Sequence, residues 1–286
     1  MQVNSCVVLD GKAFAEKNKV ELLEKISKLK NEHGRPPSLA AILVGDDPAS
    51  STYVSMKERA CEEVGVKTST YIKDRSCSTE ELLSLIDELN ADETVDGILL
   101  QHPVPQHIDE IKCFNRIDLN KDVDGVTTEG FGNLSMSLRA FGSCTPLGIM
   151  RLLEEYDIEC EGKLALVIGR SQILGKPMAA MLLNANATII TAHSKTKDLD
   201  KLLTMADIVV AAAGIPNFIN CKKLKKGSIL IDAGYHPDQK CGDVDMNGIE
   251  EIVSAYTPVP GGVGPMTINT LINNTISSME NLSNGK

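Results

Sequence analysis

Tyr53 and Lys57 stand four residues apart in DPASSTYVSMKERACEEVG (47–65), a spacing that puts two side chains on one face of a helix. An amine on such a face can exchange protons with a bound substrate. The stretch carries helix signals at both ends: Asp47 as N-cap, Pro48 at the first helical position and Gly65 after the last periodic residue. At 100° per residue, Ala49, Met56, Ala60 and Val64 fall within about 60° of Tyr53, and Lys57 falls at about 40°. Glu58, Arg59 and Glu62 point away, so Lys57 is the only formal charge in the predicted apolar stripe. The spacing leaves two readings open. One is a lysine snorkelling from a helix edge; the other is a functional ammonium held inside.

A second set of residues suits a nucleotide. VIGRSQILGKPMAAMLL runs strand, turn, helix, with Gly169 ending the strand, Gly175 opening the helix and Pro177 in its first turn. A glycine turn leading into a helix N-terminus is a ready pyrophosphate site. The pattern is not a full G-x-G-x-x-G, and a tight strand–helix connection alone also explains glycines here. An NAD reader places an acid at the end of the next strand. Here that region is Ile189-Ile190-Thr191 followed by AHSKT, with no acid before Asp198. Arg170, Ser194 and Lys195 are instead suited to a 2′-phosphate, which points to NADP. Tyr-x-x-x-Lys also serves the short-chain dehydrogenases, but their dinucleotide turn precedes the tyrosine. In this chain it follows, so that family is rejected.

The elements that must position these residues alternate along the chain. Apolar runs at 39–45, 66–72 and 95–101 are predicted strands, with helices over about 11–33, 48–64 and 79–90. A second series of strands follows at 163–169, 187–192, 207–214 and 227–234. Such alternation predicts an α/β protein with parallel sheets and right-handed crossovers. The stretch 113–143, rich in Gly, Asn, Asp and Ser, breaks the rhythm and approaches a domain boundary, and a helix from Thr145 or Pro146 to about Tyr156 leads onward. The predicted division is 1–143 and 144–264, with a terminal helix, about 265–286, returning to the first domain.

The 286 residues carry a formal charge of −10, which argues against general nucleic-acid or anionic-membrane binding. No apolar run approaches a membrane span, and MQVNSCVVLDG has no basic n-region of a signal peptide. Eight scattered cysteines without a C-x-x-C pair suit reduced thiols in the cytoplasm. The five histidines lack ligand spacing, so no metal site is indicated.

Three further stretches join YVSMK and GRSQILGKP: GILLQHPVPQHID (97–109), NKDVDGVT (120–127) and TPVPGGVGPMTINTL (257–271). In this order, over nearly the whole chain, the set resembles the methylenetetrahydrofolate dehydrogenase/cyclohydrolase family. The resemblance implies a folate-binding domain, a Rossmann-type NADP-binding domain and an active-site cleft between them, in a homodimer of one-carbon metabolism acting on tetrahydrofolate derivatives. It implies that Tyr53 stacks on the aminobenzoyl group, that Lys57 is the catalytic lysine and that Gln101 is its hydrogen-bonding partner. Asp124 would bind the pterin, where a carboxylate can accept paired N–H bonds, and Pro260, Gly261 and Gly262 would line the folate pocket. The cofactor set is Gly169, Arg170, Ser171, Gly175, Ser194, Lys195 and Gly214. The chain departs from the family's common pattern at His102, often leucine, and at Tyr235-His236, usually Ile-Asn.

The activity implied is NADP-dependent oxidation of 5,10-methylenetetrahydrofolate to the methenyl cation, then hydrolysis to 10-formyltetrahydrofolate. The alternatives are a dehydrogenase with weak or no cyclohydrolase activity, and a non-catalytic dinucleotide sensor on the same scaffold.

Overall fold

The computed structural model describes residues 6–284. The first five residues of the segment read for a signal peptide, and the last two of the expected terminal helix, lie outside the described residues. The chain divides into two compact units: Lys17–Cys144 with Ile268 onward, and the residues through Glu16 with Thr145–Thr267.

In chain order, β1 (Val7–Val8) and α1 (Gly11–His33) are followed by β2 (Ser38–Val44), α2 (Pro48–Val64), β3 (Lys67–Lys73), α3 (Thr79–Ala91) and β4 (Gly97–Leu100). Two short helices, α4 (Glu110–Phe114) and α5 (Thr128–Ser135), occupy the stretch where the sequence loses its rhythm. The second series runs α6 (Cys144–Glu155), β5 (Leu164–Ile168), α7 (Gly175–Asn184), β6 (Thr188–Ala192), α8 (Leu199–Leu203) and β7 (Ile208–Ala211). It continues through β8 (Ile219–Asn220), β9 (Ile229–Asp232), β10 (Val244–Asp245) and β11 (Ala255–Tyr256) to α9 (Val263–Asn284).

The first unit holds a parallel three-stranded sheet in the order β3-β2-β4. Every residue of β2 is buried, as a central strand covered on both faces requires. Leu39, Ala41 and Leu43 alternate onto one face, where they share a core with Leu22, Ile26 and Leu29 of α1 and Val54, Cys61 and Val64 of α2. Leu271, Ile272, Ile276 and Met279 of α9 complete that core, so the terminal helix packs into this unit.

The second unit holds a six-stranded sheet in the order β1-β11-β9-β7-β5-β6, parallel throughout. β5 is followed in the chain by β6 on one side, and β7 then lies on the other. The C-terminal end of β5 is therefore a topological switch point, where ligands bind open α/β sheets. Gly169 is the next residue. The sequence division at 143 assigned the chain's beginning to the first domain. The structure differs: Val7 N donates to Ser254 O (2.8 Å) and Leu9 N to Tyr256 O (2.8 Å), which adds β1 to the sheet of the second unit. No helix among the described residues is long and apolar enough to cross a membrane.

Candidate active site

α2 begins and ends as its sequence dictates. The Asp47 side chain accepts a bond from Ser50 N (2.8 Å), and Gly65 caps the other end in the left-handed region at φ 91°. Its buried positions are Ser50, Val54, Lys57, Cys61 and Val64, whereas Met56 is 52% exposed. The apolar pattern had Met56 and Ala60 in the stripe; the side chain of Ala49, also assigned to it, lies outside the described residues. The observed stripe is rotated by about 60°, which brings Lys57 to within about 20° of its centre. Lys57 is only 7% exposed and is part of the buried face. Tyr53, half-buried, sits at the border of that face.

A buried ammonium needs an acceptor. Gln101 supplies it: Lys57 Nζ donates to Gln101 Oε1 at 3.0 Å. Gln101 lies one residue past the end of β4, and its N–H donates to Ile42 O at 2.9 Å, continuing the ladder to β2. The other end of its side-chain amide is also engaged, Nε2 donating to His102 O at 2.7 Å.

In KDVDG the three charged residues have three different fates. Lys121 is buried and donates to the carbonyls of Leu89, Asn90 and Asp92 (2.9, 2.9 and 2.7 Å), closing the C-terminus of α3. Asp122 is 1% exposed, and its carboxylate accepts the N–H groups of Val126 and Thr127, both at 2.9 Å. Asp124 is half-buried, and its backbone is fixed while its carboxylate is not spent on the turn. Cys144 N donates to Asp124 O (3.2 Å), and Ser143 Oγ donates to Gly125 O (2.6 Å). Gly125 has φ +66°, and a Cβ there would collide with the backbone of Gly142 and Ser143. The structure thus gives the turn-capping role to Asp122, not to Asp124.

Cys144 brings these two groups together. Burial pushes its thiol well above the ordinary range; the Asp124 charge and a hydrogen bond with Asp124 push it further, and the Lys57 charge opposes them. Lys57 and Asp124 are therefore both within electrostatic reach of one buried sulfur. From α9, Asn274 Nδ2 donates to Val123 O (2.8 Å) and Gly142 O (3.3 Å), tying the segments on either side of Asp124. Neither Cys144 nor Asn274 carries a sequence signal: Asn274 donates to backbone carbonyls more than a hundred residues away, and Cys144 meets the Asp124 loop with no motif linking the two. A cavity of about 500 Å³ lined by Lys73, Asp74, Cys77, Glu81 and Glu88, among others, contains none of the residues discussed so far in this unit as site candidates.

In the second unit, the backbone rather than the side chains is constrained. Gly169 has φ 138°, and a Cβ on it would strike Ala212 O; a Cβ on Gly175 would strike Gly169 O. Ser171 Oγ accepts Gly175 N (3.2 Å), while the N-cap of α7, Leu174, offers its N–H groups no side-chain acceptor. A pyrophosphate fits such a turn, since it accepts bonds from N–H groups at a helix N-terminus. Arg170, Ser171, Ser194 and Lys195 are exposed. His193 N donates to Thr196 Oγ1 (2.8 Å) and Lys195 N to His193 Nδ1 (3.2 Å), so HSKT forms a closed turn after β6 with no carboxylate in it. These residues fit a dinucleotide carrying a 2′-phosphate.

The loop after β7 is held by a residue that the sequence reading missed. The Asp243 carboxylate, fully buried, accepts the N–H groups of Ala213 (2.6 Å), Gly214 (2.9 Å) and Ile215 (3.1 Å). His236 Nε2 lies 2.9 Å from the same carboxylate, which gives the unusual Tyr235-His236 pair one defined role. Asp232 in turn accepts the N–H groups of Gly234, Asp243 and Val244 (2.9, 3.0 and 2.9 Å). Pro260, Gly261 and Gly262 form a loop in this unit, closed by Gly262 N donating to Pro258 O (2.9 Å) and by Lys12 N donating to Gly261 O (2.9 Å). Gly261 has φ +110°, and a Cβ on Gly262 would meet Thr257 Cβ at 2.6 Å, so both positions require glycine.

Comparison with known proteins gives one family for both units. Residues 9–124 match the tetrahydrofolate dehydrogenase/cyclohydrolase catalytic domain, and residues 143–283 match the NAD(P)-binding domain of the same family. The chain is 55% identical to the bifunctional protein FolD of Psychrobacter arcticus over 278 residues, covering 96% of this chain and 94% of that one. Among solved structures, the bifunctional methylenetetrahydrofolate dehydrogenase/cyclohydrolase of Campylobacter jejuni is 46% identical with a TM-score of 0.94, covering 97% of this chain and 100% of that one. The enzyme of Trypanosoma brucei, solved with NADP cofactor and inhibitor, is 32% identical with a TM-score of 0.93, covering 98% and 99%.

Proposed function

The chain belongs to the tetrahydrofolate dehydrogenase/cyclohydrolase family, and from that premise we propose how its two reactions are shared among its residues. The enzyme oxidises 5,10-methylenetetrahydrofolate to the methenyl cation with NADP, and then hydrolyses that cation to 10-formyltetrahydrofolate. NADP, when bound, accepts the hydride from the methylene carbon. The protein's part in that step is positioning. Asp124 anchors the pterin, Tyr53 stacks on the aminobenzoyl ring, and the backbone of Pro260, Gly261 and Gly262 lies against the folate.

Lys57 serves the second reaction. Water adds its oxygen to the methenyl carbon and loses one proton to leave a hydroxyl; the C–N5 bond then breaks, N5 gains a proton and the hydroxyl gives up its own, leaving the formyl C=O and one proton released overall. Lys57 is the group that takes up and returns these protons, and Gln101 holds its nitrogen in place. The observation that carries this assignment is the 3.0 Å bond from Lys57 Nζ to Gln101 Oε1 on a buried helix face. Hydride transfer moves no proton between carbon and nicotinamide, so it needs no such base.

Gly169, Ser171, Gly175 and Gly214 take the pyrophosphate side of NADP, and Arg170, Ser194 and Lys195 its 2′-phosphate. The exposed basic groups and the absence of an acid in HSKT support preference for NADP over NAD. Free thiols at all eight cysteines support action in the reducing cytoplasm. The family expectation is a homodimer, and β3 offers an edge paired only to β2 among the described residues.

The test is to mix the protein with NADP and 5,10-methylenetetrahydrofolate and follow NADPH and methenyltetrahydrofolate together. NADPH should form while the methenyl compound is consumed. Accumulation of the methenyl compound at the level of NADPH would favour a dehydrogenase without the second activity, and no NADPH would favour a sensor.

A further inference from the structure

The Gln101 amide can face Lys57 in two ways, and only one is useful. With Oε1 towards Nζ the amide accepts a hydrogen bond from the lysine; flipped, it would set an NH₂ group against an amine that has only donors when charged. What selects the useful orientation is the acceptor at the other end. Gln101 Nε2 donates to His102 O at 2.7 Å. The position of that carbonyl is fixed in turn by a single carboxylate oxygen. Glu110 Oε1 lies 2.7 Å from His102 Nδ1 and accepts Val104 N at 3.1 Å, clipping the chain on both sides of Pro103. Glu110 itself is the first residue of α4, whose N-cap Asp109 donates its N–H to Thr79 Oγ1 of α3 (3.0 Å) and accepts Lys112 N (3.0 Å). Burial acts to raise the Glu110 carboxyl, but the hydrogen bond and charge of His102, with the N–H of Val104, outweigh it and hold the group below the usual carboxylate range. The carboxylate is thus ionised and engaged at neutral pH.

We propose that Glu110 is a positioning residue for the cyclohydrolase step: through His102 and Val104 it fixes the carbonyl that orients the Gln101 amide towards Lys57. The proposal rests on the role given to Lys57 above and adds the residues that aim its partner. Glu110 is part-exposed, at 25% for its side chain, so its truncation leaves the core intact.

The test compares both activities in Glu110→Ala, Glu110→Gln, Lys57→Met and Gln101→Ala, the last also combined with Glu110→Ala. Glu110→Ala should lower cyclohydrolase kcat by about tenfold while dehydrogenase kcat and the KM for NADP stay within about twofold. Glu110→Gln, whose amide oxygen can accept from both His102 and Val104, should recover the loss to within about twofold. In the Gln101→Ala background, Glu110→Ala should have no further effect beyond about twofold, because the two act as one unit. Unchanged cyclohydrolase turnover in Glu110→Ala, an equal fall in both activities, or additive losses with Gln101→Ala would each overturn the proposal. If Glu110→Ala does not fold, Glu110→Ser, too short to reach His102 and Val104, takes its place, with a cyclohydrolase-selective loss expected and equal activities refuting. Lys57→Met separates the two ideas. Full cyclohydrolase activity there would remove the role of Lys57 and this proposal together, whereas its loss alongside a normal Glu110→Ala removes only the positioning role.

Discussion

Around Lys57, the group proposed to move protons, the side chains are already engaged with one another; around Gly169 the side chains stand in solvent and the backbone is the constrained part. Lys57 is 7% exposed and bonded to Gln101, whose amide is bonded again to His102 O. Arg170, Ser194 and Lys195 are exposed, while a Cβ on Gly169 would strike Ala212 O and one on Gly175 would strike Gly169 O, so neither tolerates a side chain. The difference follows from what each site must do. A group that moves protons must be held before substrate arrives, since misplacement costs rate directly. A phosphate is large, charged and fully ionised, and a cradle of N–H groups with mobile cations at its rim suffices to hold it.

The sharpest way to break this comparison is Lys57→Met. If the pre-built side-chain site carries the hydration step, the variant folds and its cyclohydrolase turnover falls by about 100-fold or more. Dehydrogenase activity persists and methenyltetrahydrofolate accumulates, visible by its absorbance. A folded variant with near-normal cyclohydrolase turnover would reduce Lys57 to a snorkelling lysine.

Within the same unit, Asp122 and Asp124 provide a paired test. Asp124→Ala should raise the KM for folate by about tenfold or more, with NADP affinity and thermal stability nearly unchanged. Asp122→Ala deprives a buried and a part-buried N–H group of their acceptor and should cost about 2–3 kcal/mol of stability. Titrations in which Asp124→Ala weakens both ligands equally would show that it too is structural.

On the nucleotide side the expected effects are smaller, because exposed groups act additively at the rim. Arg170→Ala should lower the preference for NADP over NAD, measured as the ratio of kcat/KM, by about tenfold without altering stability. Equal or better turnover with NAD in the unmutated enzyme would overturn the 2′-phosphate assignment.

How far the sequence reveals these sites depends on where the partners lie. Helix signals place α1 and α2 at 11–33 and 48–64, as in the structure. Two-residue strands such as β1 and β11 have no period to read, so the pairing of the chain's start with the second sheet was hidden. On α2 the apolar pattern misjudged the face, because Met56 is tolerated in solvent while Lys57 is buried by virtue of an acceptor 44 residues away. Motif resemblance named Asp124 but could not show that Asp122, two residues earlier, relieves it of the turn. Asp243 and Asn274 were invisible because most of their bonds go to backbone atoms, and backbone atoms leave no mark on residue type.

Asp232 offers the last and smallest test, and it addresses the buried carboxylates that hold the nucleotide-side loops. Burial pushes its carboxyl up to about 6, against three backbone N–H bonds that lower it, and the Asp243 charge adds to the rise. The unfolded chain has an Asp of ordinary acidity, near 4. Between those two values the folded protein binds the proton more tightly, so this group's contribution to stability is complete below about pH 4 and declines as pH rises towards about 6. Above that the contribution is flat. The expected slope is at most about 1 kcal/mol per pH unit for a single group. Thermal midpoints measured from pH 4 to 7 should therefore show a downward component with rising pH that Asp232→Asn lacks, even though the amide costs stability by facing one of the three N–H donors with an NH₂ group. The Lys57 side should be insensitive to it: Asp232→Asn should leave the folate KM unchanged at pH 7, because the loops that Asp232 supports lie in the unit that matches the NAD(P)-binding domain. Identical pH profiles in the two proteins would mean that the buried carboxylate stays ionised throughout, and that the nucleotide-side backbone is held by charge rather than by a protonated acid.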